Sequence, residues 1–419
     1  MNNPFLHDFP IEINTLPSRQ TILRPIWSRI NTGQSVLIVS EPWMKKGKLL
    51  SYIASVKDNF QSEWDLLFSF IDISTLGDDI TVADFWKIVK ESLVQPTNSP
   101  NIKETILEKI SLSNDEFDTI QIERLFEQFS KNHIRLVLLI DEFNLLTQHH
   151  SLRTAKMFGT LRYFATDKYD CFVIVGASRN GALELFNATK DINGNGSPFY
   201  NYFSEIRLSV LSQRDMSILL GDYLSKQDKL FAMSVSGGHP YILQIVSSLL
   251  WELKPDRYKN PLERYKEIGN ILSEKTRAFY ESSWSYWSND IQKTLISIAI
   301  FQIPDFVENY RFRNNDIFQK LPEIRYLLSI GIIEKSSEKE KSYKVSQGAF
   351  LWWITEKIEQ LARPETELKE WLQEKQKVGI LFTNQDIEFA GKAATYIGKV
   401  LDKGVLTLIE SYAKASLIK

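Results

Sequence analysis

The sequence predicts an α/β protein whose first half forms a mostly parallel sheet with helices on both faces. Short, continuous apolar runs alternate there with segments in which apolar residues recur every three or four positions. The runs are typical of strands buried on both faces, and the periodic segments are typical of amphipathic helices. Strands that alternate with helices in this way build parallel sheets.

The predicted strands occupy residues 35–39, 64–73, 136–140, 171–176 and 206–210, the last at an edge of the sheet. The predicted helices cover residues 19–30, a segment that starts near Leu49, and residues 81–93, 120–131 and 153–165. Ligands of parallel sheets bind beyond the carboxyl ends of the strands. We therefore expect a site among residues 40–48, 141–142 and 177–179, which follow three of these ends.

Strand signals stop after about residue 212, and the rest of the chain has a different organisation. Residues 212–290 predict helices only. Residues 291–363 predict helices followed by a hairpin around the charged turn 336–341, which is the order of a winged-helix domain. Residues 364–419 predict a short helical segment that contacts a partner. The sheet-containing core would then be residues 1–211.

Composition excludes several classes of protein. The chain has 419 residues, enough for two or three domains, and 50 basic against 52 acidic residues give a formal charge of −2. This balance argues against a surface built throughout for nucleic acid. One cysteine, Cys171, cannot form an internal disulfide. Neither a signal peptide nor a membrane span is predicted, so we expect a cytoplasmic protein without a membrane partner.

The loop that follows the first predicted strand, residues 40–48, is rich in lysine. In a P-loop, the amides of a glycine-rich turn surround phosphate, a lysine neutralises it, and a Ser or Thr hydroxyl ligates magnesium. Matching the Gly-Lys pair of that motif to Gly47-Lys48 leaves Leu49 at the hydroxyl position and Pro42 at the first glycine. An ungapped register fits the surrounding residues better. The alternative is a strand-to-helix turn that binds no phosphate.

A second motif follows the apolar run 136–140. Its end, Asp141-Glu142-Phe143, has the sequence of a Walker B motif. In such a motif a buried strand delivers an aspartate to magnesium and a glutamate to the attacking water. We therefore assign Asp141 as the metal ligand and Glu142 as the catalytic base. The alternative is that the two carboxylates serve as a helix cap and a salt-bridge partner.

Without a gap, residues 40–52 resemble the phosphate loop of the STAND class of signalling ATPases, a branch of the AAA+-like P-loop proteins. The Glu-Pro near the start of this stretch and the Leu-Leu-Ser-Tyr at its end coincide with the family's residues, and Lys46 takes the place of the phosphate-binding lysine. Ser40 and Lys45 stand where the family has glycines, and Gly47 where it has the magnesium-binding hydroxyl. The resemblance therefore implies a P-loop NTPase-type core with a degenerate Walker A motif.

The resemblance covers about residues 4–250 and extends to four further motifs. They are a Leu-Arg pair at 161–162, a sensor-1-like strand ending at residue 178, Ser-Pro-Phe-Tyr-Asn at 197–201, and Gly-His-Pro at 238–240. In the family, this last motif belongs to a helical lid, and its proline abuts adenine. The nucleotide-binding residues implied in this way are Lys46, Gly47, Lys48, Arg162, Ser178, His239 and Pro240. His239 by itself is more typical of a residue that caps the following helix.

The resemblance implies a STAND-type regulator or adaptor in bacterial defence or conflict signalling, which acts through a protein partner and is able to oligomerise. Its ATP or ADP and Mg²⁺ site would be degenerate, and we expect little hydrolysis. One alternative is an active ATP/Mg²⁺ switch in which Lys46 and the flanking lysines replace the lost glycines. Another is a DNA-binding protein that uses its winged helix, which the acidic residues of that region disfavour.

Overall fold

The computed structural model of the chain describes residues 2–6, 16–56, 62–93, 119–193, 199–300, 302, 322–336, 343–362, 414, 415 and 417. The chain divides into two compact units. The core unit is Ile13–Leu208, and the helical unit is Met1–Glu12 together with Ser209–Lys419. The finer boundaries at residues 290 and 363 stay predictions. Most of the predicted interaction segment, residues 364–419, lies outside the described residues.

The described residues of the core unit form a five-stranded parallel sheet, which confirms the predicted fold class. Its strands are β1 (Val36–Val39), β2 (Asp65–Asp72), β3 (Ile134–Asp141), β4 (Phe172–Ser178) and β5 (Ser204–Arg207). They lie in the order β2-β3-β4-β1-β5, and each pairs in parallel with its neighbours. All residues of β1 and β4 are buried, which explains their continuous apolar sequences. β5 lies at an edge of the sheet, as predicted, although it spans Ser204–Arg207 and not residues 206–210.

Helices connect these strands. They are α1 (Pro17–Asn31), α2 (Lys46–Ser55), α3 (Val82–Leu93), α4 (Thr119–Lys131), α5 (Ala155–Asp167), α6 (Ala182–Ala188) and α7 (Lys190–Asn193). The prediction of a helix start near Leu49 was wrong, because α2 begins at Lys46. Its N-cap residue, Lys45, has no side-chain cap bond, so the Ser, Thr, Asp or Asn that usually marks a helix start is absent.

A buried arginine ties α1 to the sheet. The guanidinium of Arg135, on β3, donates hydrogen bonds of 2.7 Å to the carbonyl oxygens of Ile30, Asn31 and Asp170. It also lies over the ring of Trp64, 4.6 Å from the centroid. The last carbonyls of a helix have no intrahelical hydrogen-bond donor, and at the end of α1 Arg135 provides that donor. These bonds hold the C-terminal end of α1 against β3.

The helical unit follows the predicted order of helices and then a hairpin. Its helices are α8 (Gln213–Leu220), α9 (Lys226–Ser236), α10 (Pro240–Glu252), α11 (Pro261–Tyr286), α12 (Asn289–Ile300), α13 (Pro322–Ile330) and α14 (Gly348–Ala362). The hairpin is β6 (Ile333–Lys335) paired antiparallel with β7 (Tyr343–Val345). Trp353, on α14, is buried and packs against Tyr280, Trp284 and Phe350, so this aromatic cluster belongs to the core.

A buried ion pair joins α9 to α11 in the same unit. One guanidinium nitrogen of Arg264 lies 2.6 Å from Oδ1 of Asp228, and both side chains are almost fully buried. The hydroxyl of Tyr265 donates to the same carboxylate at 2.9 Å, and Arg264 also donates to the carbonyl of Leu250. Because the charged groups of the pair have these hydrogen-bond partners, the pair is tolerated in an apolar interior.

No helix among the described residues has the length and apolar composition needed to cross a bilayer.

Candidate nucleotide-binding site

The candidate site lies at the carboxyl edge of the sheet in the core unit. β1 leads into the loop before α2, β3 ends at Asp141, and β4 ends at Ser178. Asp72, the last residue of β2, is the register partner of Asp141. The backbone N–H of Ser40 donates to the carbonyl of Ser178 at 3.1 Å, which continues the β1–β4 pairing into the loop. The topology therefore gathers the ends of four strands around this loop.

Two residues of the loop have left-handed backbone conformations. Trp43 has a φ of 62° and Lys45 a φ of 64°. This region costs a residue with a Cβ about 1–2 kcal/mol. The loop nevertheless keeps the turn, because β1 fixes one end and α2 the other. Lys45 was predicted to replace a glycine, and the structure places it at a position that favours glycine.

Lys46 occupies the first position of α2 and turns its side chain back under the loop. The side chain is buried, and Nζ donates to the carbonyl oxygen of Ser40 at 3.3 Å. Burial lowers the pKa of Lys46, and the nearby carboxylates of Glu142, Asp141 and Glu41 oppose that shift. The charges of these three carboxylates therefore stabilise the Lys46 ammonium. Lys48, by contrast, is exposed.

The carboxylate of Asp141 lies directly against Gly47. A Cβ atom built on Gly47 would overlap Oδ2 of Asp141 and lie 3.3 Å from its Cγ. The other oxygen, Oδ1, accepts the backbone N–H of Glu142 at 2.9 Å. Burial raises the pKa of Asp141, the charges of Glu142 and Asp72 add to that rise, and the Glu142 hydrogen bond and Lys46 oppose it. The carboxylate thus fills the space beside Gly47.

Glu142 does not cap the following helix. It has a left-handed φ of 48° and occupies the N-cap position of a short 3₁₀ helix, Phe143–Thr147, but its side chain makes no cap hydrogen bond there. The alternative prediction, in which a carboxylate of this motif serves as a helix cap, is therefore not supported for Glu142. Glu142 is instead part of the charged surroundings of Lys46.

Two site residues were missed by the sequence reasoning. The charge of Arg179 lowers the pKa of Lys46, and its backbone N–H donates to Oδ1 of Asn144 at 2.9 Å. Asp72 acts on the pKa of Asp141 from the end of β2. Asp72 ends an apolar strand, and Arg179 directly follows one. These positions at the carboxyl ends of strands were the signal in the sequence that could have identified both residues. Arg179 lies in the stretch 177–179, which was expected at the site edge, although no role was assigned to it.

The remaining predicted residues lie in different places. The hydroxyl of Ser178 bonds to the backbone of Asn180, beside the loop. Arg162, on α5, influences the pKa of Tyr202. His239 and Pro240 belong to the helical unit, where His239 holds the N-cap position of α10 without a side-chain cap bond and Pro240 is the first residue of that helix. The motif at 197–201 lies partly outside the described residues.

The residues of the loop fit a phosphate group. The first turn of α2 offers amide groups that have no intrahelical acceptor, and its positive dipole end favours an anion. Lys46, at the start of that turn, donates a hydrogen bond to the loop backbone. These features match the way in which helix N-termini bind nucleotide phosphates.

The same residues do not fit a P-loop-type magnesium ion. Gly47 has no hydroxyl, and the Asp141 carboxylate fills the adjoining space. Within the described part of the chain, no group of three or more His, Cys, Asp or Glu side chains is arranged to hold a metal ion.

No family model and no curated protein matches the sequence. Among solved structures, the Walker-type ATPase PABY2304 of Pyrococcus abyssi is 14% identical with a TM-score of 0.50, over 83% of this chain and 97% of that one. The Aeropyrum pernix ORC2 protein is 10% identical with a TM-score of 0.38, over 90% and 92% of the two chains. Cdc6p of Pyrobaculum aerophilum is 13% identical with a TM-score of 0.36, over 81% and 91%. At such identities a likeness concerns the fold alone, which is a P-loop NTPase-type parallel sheet flanked by helices.

Proposed function

We propose that the chain is a nucleotide-binding switch protein that holds nucleotide phosphates without P-loop-type magnesium coordination and hydrolyses them slowly. The observation that supports the proposal most directly is the contact between the Asp141 carboxylate and Gly47. In a P-loop site, a hydroxyl and an aspartate jointly hold a metal at this place. Here the Asp141 carboxylate lies against Gly47 and leaves no room for the metal. A site of this kind can still bind phosphate through the start of α2 and Lys46.

Phosphate binding requires a local exchange of hydrogen bonds. The ammonium of Lys46 is bonded to the carbonyl of Ser40, so a phosphate oxygen must compete with that carbonyl. A charge-assisted bond to phosphate is stronger than one to a neutral carbonyl, which favours the exchange. Lys46 also keeps its buried position among the surrounding acids. We therefore expect measurable but modest affinity for ATP and ADP.

Hydrolysis needs more than phosphate binding. Transfer of a phosphoryl group depends on positioning the nucleophile and on neutralising the charge that develops on the phosphate. Glu142 is available to orient a water molecule, but Gly47 and Asp141 do not supply the neutralising metal. The carboxylates beside Lys46 would oppose the additional negative charge. We therefore expect turnover close to background.

The finer assignment to a STAND-type regulator or adaptor rests on the sequence resemblance of residues 40–52 and 237–244. Action through a protein partner in bacterial defence or conflict signalling is part of that assignment. A site that binds nucleotide but turns it over slowly suits a regulator better than a motor. Use of the winged-helix region for DNA binding stays a prediction, because residues 303–321 lie outside the described residues.

Calorimetric titration of the full chain with ATP tests the proposal. We expect binding in EDTA that changes less than about two-fold when millimolar Mg²⁺ is added. The Lys46→Ala substitution should weaken binding at least ten-fold, or by about 1.4 kcal/mol. Lys131→Ala, which removes an exposed lysine at the end of α4 and thus at the opposite, amino edge of the sheet, is the control and should bind like the unsubstituted protein.

Two outcomes would contradict the proposal. One is ATP binding that requires Mg²⁺, which would favour the active ATP/Mg²⁺ switch. That alternative also predicts ATP turnover well above background that is abolished by Asp141→Ala. The other is no binding at millimolar nucleotide with or without Mg²⁺, which would leave the loop as a strand-to-helix turn.

A further inference from the structure

The helical unit contains a large cavity that the nucleotide site does not use. It has a volume of about 1060 Å³. One wall is formed by α8 and α9, and the other by α13 and the hairpin β6–β7. Apolar side chains line both walls, among them Met216, Leu230 and Met233 on one side and Leu328, Ile333 and Val345 on the other. The cavity is large enough to accept several apolar side chains.

The rim of the cavity is polar. It carries Glu334, Lys335 and Lys344, of which Lys344 and Glu334 form an ion pair of 3.0 Å across the hairpin. Leu230, Met233 and Leu328 are only partly buried. An apolar floor with a charged rim is the arrangement that receives the apolar face of an amphipathic helix. Its polar face then remains at the rim and in solvent.

The C-terminal segment of the chain reaches this cavity. Ala415 is one of the residues that line it, and Lys414, Ala415 and Leu417 are helical. The sequence before Ala415 places Val405, Leu408 and Tyr412 at intervals of three and four residues. Spacing of this kind puts all of these residues on one face of a predicted helix, and Ala415 on the same face.

We propose that the segment 405–417 is an intramolecular ligand of this cavity, with the face of Val405, Leu408, Tyr412 and Ala415 inserted between α9 and the hairpin. The position of Ala415 in the cavity lining supports this occupant over a small molecule. The chain between Ala362 and Lys414 is long enough to reach any part of the unit. Because the segment is tethered, its effective concentration is on the order of millimolar, and a weak contact suffices for occupancy.

The consequence is a covered docking surface. A partner that presents an amphipathic helix would have to displace the segment before it could bind the cavity. This would make the C-terminal segment an internal competitor for partner binding. The inference concerns the helical unit alone, so its failure would leave the proposed nucleotide site untouched, and the reverse also holds.

A synthetic peptide of residues 401–419 with a fluorescent label tests the inference on the full chain by anisotropy. The unsubstituted protein should bind it weakly, because its own segment competes. The double substitution Leu408→Asp and Tyr412→Asp in the protein should release that segment and increase peptide affinity at least ten-fold. The matched control Leu406→Asp places the same charge on the opposite face and should leave the affinity unchanged.

A third substitution locates the peptide. Met233→Glu, added to the double variant, should abolish peptide binding, whereas Gln227→Glu, an exposed position on the same helix, should not. Equal peptide affinity in the unsubstituted protein and the double variant would overturn the proposal. Binding that survives Met233→Glu would do the same, because the peptide would then lie elsewhere.

Cross-linking keeps the test independent of how well Met233→Glu folds. Ser234→Cys and Ala415→Cys, two positions that line the cavity, should be joined within one chain by a short bismaleimide, and the double substitution Leu408→Asp and Tyr412→Asp should prevent this. The native Cys171 is buried and should not compete. A cross-linked dimer would show that the segment docks on a second copy, and absence of any cross-link would show that it does not dock. Either result would overturn an intramolecular ligand.

Discussion

Placing a hydroxyl at residue 47 should destabilise the core unit. In Gly47→Ser, the new Cβ would overlap Oδ2 of Asp141, so the carboxylate must move away from it. That movement stretches the hydrogen bond between Asp141 and the N–H of Glu142, and such a bond to a charged group contributes about 1.5–3 kcal/mol. Crowding of a packed site adds about 1–3 kcal/mol, and the better helix propensity of Ser returns about 0.5 kcal/mol.

We therefore expect Gly47→Ser to lower the free energy of unfolding of the core unit by roughly 2–5.5 kcal/mol. The single cysteine allows this to be measured on the core unit alone. Cys171 is buried immediately before β4, and burial raises the pKa of its thiol to about 12, so it reacts only when the unit opens. Pulse labelling of the thiol across a urea series then reports the unfolding midpoint.

Two comparisons decide whether the Asp141 contact is the cause. Gly159→Ser is the matched control, because nothing lies within 4 Å of a Cβ built at that helical position, and its cost should stay within about 0.5 kcal/mol. In an Asp141→Ala background, the cost of Gly47→Ser should fall below about 1 kcal/mol, since the clash is gone. An equal cost of Gly47→Ser in both backgrounds would refute the reasoning.

Three further predictions concern other charged groups. Arg135→Met should destabilise the core unit by about 3–5 kcal/mol, because three carbonyls lose a charged donor, and thiol labelling in urea would show a much smaller loss if those bonds were weak. Arg264→Met should cost the helical unit about 3–5 kcal/mol by leaving a buried carboxylate unpaired, and Asp228→Leu added to it should recover most of the loss in thermal unfolding followed by circular dichroism. If the double variant unfolded as early as the single one, the buried charge would not be the cause. The folded-state pKa of Asp141 is raised above its ordinary 3.8, so its neutral form is favoured in the fold. The unsubstituted protein should therefore lose stability relative to Asp141→Asn as pH rises above 3.8, and parallel pH profiles for the two proteins would contradict this.

Much of the core unit follows from its sequence because burial on both faces of a sheet demands apolar residues throughout a strand. The run from Leu136 to Ile140 therefore marks β3, and it also locates Asp141, because a carboxylate that follows such a run must lie at the sheet edge. The predicted fold class and the edge position of the last strand depend on the same reasoning. Hydrophobic pattern carries this information locally, without knowledge of the neighbours.

The shape of the loop could not be predicted in the same way. A left-handed conformation is disfavoured for Trp43 and Lys45, and local preference alone would place neither residue there. The strand before the loop and the helix after it impose the turn, and Lys46 secures it from below by bonding to Ser40. The start of α2 at Lys46 was likewise not predictable from local sequence, because its N-cap residue is not one of the side chains that usually cap a helix. Tertiary contacts, rather than local propensity, determine this part of the site.

The sheet order explains why the Gly47–Asp141 contact is a property of the fold and not only of the two residues. β4 lies between β1 and β3, so α2, which leaves β1, must pass over the end of β4 to pack against β3. That crossing brings the first turn of α2 onto the carboxyl end of β3. Where a residue with a hydroxyl occupies this turn, the aspartate must lie farther from it to leave room for a metal. With glycine at this turn, the Asp141 carboxylate occupies the adjoining space itself, so the contact follows from the path of α2 and from the small size of residue 47 together.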